Sequence, residues 1–289
     1  MSSFSLILTE KCNWGCEYCY FPRLSKPKEP KLEIFQKHLP YIKEVMDILN
    51  HHDLLVNIDI QGGEVGLIPL ELLQYYFQTI KYKTAVSTNG LFLKRGYHLD
   101  EKIRPFIGMI MWHVATDLTS KIEVDYNDDD LFISKGIVHN DVDEIVTFLK
   151  ENDHILFDYI EFEFDLTKSR KMDVLMYHDL LNKIKKIDNI TDNARSILES
   201  RLSEKEQHRD NCRRYNGSIL IDLVNENICL CQRQLNESIP LNKMNLIKRL
   251  KSFPNDLFDG GGCSTCTRLY AGKFRGNVIE RALKIRRLL

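Results

Sequence analysis

The chain has 289 residues, 43% of them hydrophobic and 28% charged, enough to bury one large core or a large core with a small appendage. Forty basic residues against forty-one acidic ones leave a formal charge of −1, which excludes the broad electrostatic field that draws a protein to nucleic acid or an anionic membrane. No apolar run approaches the roughly eighteen residues of a membrane span and no secretory leader pattern occurs, so a cytoplasmic location is expected, where eight cysteines point to metal or catalysis rather than disulfides.

Apolar, β-branched runs at 4–8, 54–60, 84–87, 109–114, 132–138 and 155–164 alternate with stretches of helical period at 32–49, 69–80 and 141–150. This alternation predicts an α/β fold, a parallel sheet with covering helices. Pro69 suits a first helical turn, Asn140 suits an N-cap, and Pro40 is expected to kink or split its helix. The first five runs end in polar or glycine-bearing segments at 9–12, 61–64, 88–90, 115–117 and 139–140. In a closed or partly closed β/α barrel such strand ends share one rim, where active sites form. The sixth run carries Glu161, Glu163 and Asp165 on alternate positions and so on one face, which is either directed into the barrel mouth or the polar outside of an edge strand.

Beyond Asp165 the texture turns to charged helical segments as far as about His208, and a compact tail with five of the eight cysteines follows. Residues 217–223 and 227–231 read as a hairpin turned by Asn225, Glu226 and Asn227. So small a piece buries little core, and a metal staple is a plausible substitute. The basic stretch 284–287 reads as a solvated helix face.

The other three cysteines, Cys12, Cys16 and Cys19, follow the first run in the segment Cys-Asn-Trp-Gly-Cys-Glu-Tyr-Cys. Thiolates at this spacing suit three corners of a cubic iron–sulfur cluster and leave one iron open to a chelating small molecule. A zinc ion completed by His38, His51 or His52 is the alternative. Gly62 and Gly63 remove side chains so that backbone can approach a ligand, and Glu64 can accept hydrogen bonds from an ammonium, although alone the three form a common turn. Ser87, Thr88, Asn89 and Gly90 make the next polar loop, and His113 and Asp117 follow the fourth run, His113 being equally readable as a buried structural histidine.

The spacing Cys12-x-x-x-Cys16-x-x-Cys19, with Tyr18 before the last cysteine, resembles the signature of the radical S-adenosylmethionine enzymes. Gly62-Gly63-Glu64, one β/α unit later, resembles the motif with which that family receives the cofactor's amino group. The resemblance implies a partial (β/α)6 TIM-like barrel and a [4Fe–4S] cluster with an open iron site held by Cys12, Cys16 and Cys19. It implies S-adenosylmethionine contacted by Tyr18, Gly62, Gly63, Glu64, Ser87, Thr88, Asn89 and His113, and an external electron donor such as flavodoxin or ferredoxin. Where the family often has Ser and Asp after the fourth strand, this chain has His113 and Asp117.

In the tail, Cys212, Cys229, Cys231, Cys263 and Cys266 resemble the auxiliary-cluster extension known in its full and shortened forms as SPASM and Twitch. The full form has seven cysteines for two clusters, and the five here suit one auxiliary [4Fe–4S] cluster. Cys212, Cys231, Cys263 and Cys266 are the expected ligands, with Cys229 an alternative to Cys231, and a structural zinc on the same thiolates is the competing reading. Glu226 stands where the extension usually has glycine. Arg213, Arg214 and Arg233 flank the cysteines, either neutralising cluster or substrate charge or forming surface ion pairs.

The expected organisation is a radical S-adenosylmethionine barrel over residues 1–208 and a small C-terminal α+β cysteine-rich auxiliary-cluster domain with a terminal helix over 209–289. The implied activity is reductive cleavage of S-adenosylmethionine to a 5′-deoxyadenosyl radical that takes a hydrogen atom from a peptide or protein residue, ending in a cross-link, an oxidation or an epimerisation. Asp117, Glu163 and Asp165 are the candidates for an acid or base near the reacting carbon. A small-metabolite dehydrogenase is the second expectation, favoured by the lack of a leader-peptide-binding domain ahead of Phe4, and a non-enzymatic zinc-stapled binding module is the third. No nucleic-acid or membrane partner is expected.

Overall fold

A computed structural model of the chain describes residues 2–15, 27–115, 124–139, 141–162, 170–206, 218–229, 238–252 and 284–289. The strands are β1 (Ser2–Ile7), β2 (Leu55–Gln61), β3 (Thr84–Thr88), β4 (Ile107–Ala115), β5 (Ile133–Val138), β6 (Tyr159–Glu161), β7 (Ser218–Asp222), β8 (Asn227–Cys229) and β9 (Ile239–Pro240). The helices are α1 (Leu32–His51), α2 (Leu70–Ile80), α3 (Leu91–Lys94), α4 (Val142–Glu151), α5 (Arg170–Lys183), α6 (Asp192–Glu206) and α7 (Lys243–Ser252). None of these helices is long and apolar enough to cross a membrane.

Among the described residues the strands form one nine-stranded sheet in the order β6-β5-β4-β3-β2-β1-β7-β8-β9. From β1 to β6 each strand lies parallel beside its predecessor, the winding of a β/α barrel left open. This is the mostly parallel α/β fold expected from the alternation of runs, in the partial barrel-like form that the resemblance implies. β7 joins the free edge of β1 in parallel, and β8 and β9 continue antiparallel, so the tail hairpin extends the same sheet.

Alternation along the strands separates two faces. Phe4, Leu6, Ile58, Ile60, Val86, Ile110, Trp112 and Val114 are buried in one core with Phe35, Leu39 and Ile42 of α1 and Leu73 and Phe77 of α2. The other face is more polar. There the Ser5 hydroxyl donates to Asp59 Oδ1 at 2.9 Å, and Asp59, Gln61, Ser87, Met111 and His113 are only half-buried.

Several local expectations are corrected. α1 is one helix through Pro40, which therefore does not split it. A proline inside a helix forfeits a backbone bond and crowds the preceding turn, at about 3 kcal/mol. Burial of Phe35, Leu39, Ile42, Val45, Met46 and Leu49 outweighs this, each contributing about 1.5–3 kcal/mol. The cap of α4 is Asp141, whose carboxylate accepts from the amides of Asp143 at 2.9 Å and Glu144 at 3.0 Å, and Asn140 lies outside the described residues. Pro69 occupies the cap of α2 rather than its first turn. The sixth strand is shorter than its apolar run, because Phe157 is taken into a bridge with Ile190 and bonds to Asn189 and Thr191 before β6 begins.

Candidate functional site

The described part of the cysteine segment lies on the end of β2. The Gly63 amide donates to Thr9 O at 2.8 Å and the Glu64 amide to Lys11 O at 2.7 Å, so the residues just before Cys12 are held against the glycine turn. Both glycines are required by this contact. A Cβ on Gly62, which has φ of +132°, would stand 2.6 Å from Thr9 O, and one on Gly63 would stand 2.0 Å from Lys11 O. The missing side chains let the backbone of the cysteine segment itself approach the turn.

Glu64 is 1% exposed, and its carboxylate points inward. Oε1 accepts from the Gly66 amide at 2.7 Å, the Thr88 hydroxyl at 2.6 Å and the Phe92 amide at 3.2 Å, while Oε2 accepts from the Asn89 amide at 2.6 Å. Burial pushes its pKa up, and the four donors pull against that shift. Four donors aimed at one carboxylate make Glu64 the tie between the glycine turn and the loop after β3.

That loop reaches the first cysteine. Asn89 Nδ2 donates to Asn13 Oδ1 at 2.8 Å and lies 3.8 Å from Cys12 Sγ, and the Trp14 amide faces the same sulfur at 3.4 Å. The Cys12 thiol is exposed. A soft sulfur donor on a strand-end loop, with N–H groups directed at it, suits an iron–sulfur ligand whose charge needs compensation. The donor chemistry thus fits the group that the cysteine spacing implies. Cys16, Tyr18 and Cys19 lie outside the described residues. Among the described residues no cluster of three metal-ligating side chains occurs.

On the polar face, His113 of β4 pairs with Gly136 of β5, and Gly136 with Tyr159 of β6. Laterally aligned residues of a parallel sheet share a face. The Tyr159 ring lies directly over Gly136, where a Cβ would meet the ring at 2.0 Å, and its hydroxyl is 3.1 Å from His113 Nδ1. His113 is therefore a partnered, half-buried side chain on the polar face. Tyr159 was missed from sequence. Its place on the same alternate positions as Glu161 was the available signal. Asp117, Glu163 and Asp165 lie outside the described residues.

Of the tail cysteines only Cys229 is described. It is 1% exposed and packs with Ile7, Leu220 and Val224. Cys212, Cys231, Cys263 and Cys266 lie outside the described residues, as do Arg213, Arg214 and Arg233. Glu226 adopts a left-handed φ of +52°, the conformation that a glycine there would take without strain.

No protein-family model matches the chain, and no curated protein matches it. Among solved structures the chain is similar to native anSMEcpe with bound AdoMet, at 13% identity and a TM-score of 0.55, over 99% of this chain and 96% of that one. It is also similar to BtrN in complex with AdoMet and 2-DOIA, at 11% identity and a TM-score of 0.39, over 84% and 78% of the two chains. Streptococcus suis SuiB bound to S-adenosylmethionine aligns at 10% identity and a TM-score of 0.36, over 82% and 62%. The first of these likenesses establishes a shared fold.

Proposed function

We propose that this chain is a radical S-adenosylmethionine enzyme acting on a peptide or protein side chain, with an auxiliary iron–sulfur cluster in its C-terminal segment. The observation that carries the reading is the convergence of Cys12, the Gly62-Gly63-Glu64 turn and the Thr88-Asn89-Gly90 loop at one rim of an open parallel barrel sheet. The fold shared with anSMEcpe, whose structure holds AdoMet, supports it.

In this reading Cys12, Cys16 and Cys19 would hold the catalytic cluster, which when bound would supply the electron for reductive cleavage of S-adenosylmethionine. Asn89 and the Trp14 amide compensate sulfur charge beside Cys12. Glu64 fixes the rim through the four donors its carboxylate accepts from the turn and the loop after β3. His113, held by the Tyr159 hydroxyl at Nδ1, stands on the polar face beside the other half-buried polar residues of the sheet, in keeping with a cofactor-contacting role. The five tail cysteines are the support for the auxiliary cluster and, through the SPASM and Twitch resemblance, for a peptide substrate.

Anaerobic reconstitution followed by iron and sulfide counting and a dithionite-driven assay for 5′-deoxyadenosine tests the reading. The expected result is about eight irons per chain and nucleoside release that Cys12→Ala abolishes. A chain that binds zinc but no iron, or a Cys12→Ala variant with undiminished release, would overturn it.

A further inference from the structure

The hairpin turn between β7 and β8 makes contacts that neither the sheet nor the packing of its own residues requires. Asn225 Nδ2 donates to Glu10 Oε1 at 2.6 Å, and Lys28 Nζ donates to Asn225 Oδ1 at 2.6 Å. Glu10 and Lys28 are also bonded to each other, through the Lys28 amide to Glu10 Oε2 at 3.0 Å and the Glu10 amide to Lys28 O at 3.4 Å. Lys11 and Glu29 form an ion pair beside them. One amide side chain thus bridges the two residues that flank the cysteine segment, from a turn 197 positions from one and 215 from the other.

The turn is itself held from two sides. Asp222, buried at the end of β7, accepts from the amides of Val224 and Asn225, both at 3.0 Å, and from Asn225 Nδ2 at 2.8 Å. Glu226 reaches back to α1, where its Oε2 accepts from His38 Nε2 at 2.6 Å and Lys37 Nζ at 2.5 Å. Buried His38 accepts in turn from the Tyr41 hydroxyl. A left-handed glutamate is an uncommon choice, and it occurs at the turn residue whose side chain ties this hairpin to the helix that follows the cysteine segment. Asparagine is equally specific at 225. It offers an acceptor to Lys28 and a donor to Glu10 in one planar group, whereas an aspartate would set a carboxylate against Glu10.

We propose that Asn225, braced by Asp222 and Glu226, is a positioning residue that clamps the two ends of the cysteine segment, so that the hairpin turn and the loading of that segment with iron stabilise each other. Holding the ends together removes closure entropy that binding would otherwise have to overcome. The coupling is reciprocal, because an equilibrium that favours the bound segment when the turn is formed must favour the turn when the segment is loaded. The proposal rests on the reading of Cys12, Cys16 and Cys19 as iron ligands, and its test includes a measurement that does not.

The test compares the full chain with Asn225→Ala, Asn225→Asp and a control, Lys243→Ala, which breaks an ion pair to Glu44 of α1 away from the cysteine segment. Hydrogen exchange is read at the amides of residues 10–15, 28–29 and 222–226, first without metal and then after anaerobic loading with iron and sulfide. Iron loss to a chelator is timed alongside. Metal-free Asn225→Ala is expected to exchange faster at 10–15 and 28–29 than the parent, with Asn225→Asp at least as fast and Lys243→Ala unchanged. Loaded Asn225→Ala is expected to lose iron about tenfold faster, the effect of a lost charge-assisted bridge. Loading should slow exchange at 222–226 in the parent. Unchanged metal-free exchange in Asn225→Ala overturns the clamp, and so does faster exchange with an unchanged rate of iron loss. A parent chain that takes up no iron sinks the iron reading and with it the reciprocal coupling, while metal-free exchange still decides whether Asn225 holds the segment.

Discussion

Glu64 shows how far one side chain's role can depart from its residue type. A carboxylate at a strand end is ordinarily read as a hand offered to a cation. Here its two oxygens are filled by three backbone amides and the Thr88 hydroxyl, all from within the protein. Glutamine is nearly the same shape but carries an NH2 where one oxygen was. With Oε1 kept in place, that group would face the Asn89 amide, donor against donor. Glu64→Gln is therefore expected to lower stability by about 1–3 kcal/mol, read as a shift in the urea midpoint, and to weaken iron retention by releasing the loop that reaches Cys12. An unchanged midpoint would show that the carboxylate is not the tie.

At the scale of elements, α1 and the strand connections each carry a measurable consequence. Pro40 is exposed and sits within a helix held by its buried side, so it brings the backbone penalty with little packing in return. Pro40→Ala is expected to stabilise the chain by about 1–3 kcal/mol, seen as a higher denaturation midpoint with unchanged iron content. The segments leading into β4 and β5 are joined by Arg104 and Asp128, whose paired contacts are 2.6 and 2.8 Å. The Arg104 guanidinium draws the Asp128 pKa down to about 2 from its ordinary 3.8. A depressed carboxyl pKa gives stability that is complete above the unfolded value and is lost as pH falls through the folded one. Stability from this pair is thus present above pH 3.8 and disappears toward about 2. Acid titration of Arg104→Met should lack that loss, its curve meeting the parent's at the acid end.

For the whole molecule, the sheet brings its two ends of chain together. β1 lies between β2 and β7, so the strand that leads to Cys12 is flanked by the glycine turn on one side and the tail hairpin on the other. A ligand that binds the folded chain and not the unfolded one raises apparent stability by mass action. Anaerobic loading with iron and sulfide is expected to raise the thermal midpoint, with chelation reversing the rise and Cys12→Ala abolishing most of it. A loaded chain that melts with the metal-free one would place the metal outside the native structure.

Local chemistry was legible from the residue order alone. The alternation of β-branched runs with helical periods determined the α/β class and the succession of strands, because burial on one side of a strand or helix leaves a period in the sequence. The glycine pair marked the turn that meets the segment before Cys12 for the same reason, since turn geometry acts over a few residues. Pro40 and the short β6 departed from that reading because burial of α1 and the bridge to Ile190 come from partners elsewhere in the chain. The inward carboxylate of Glu64, the Tyr159 hydroxyl against His113 and the Asn225 bridge were decided only by the tertiary structure. Each joins residues that no local period relates, and the direction of a polar side chain is set by whichever donors and acceptors the assembled fold brings within reach.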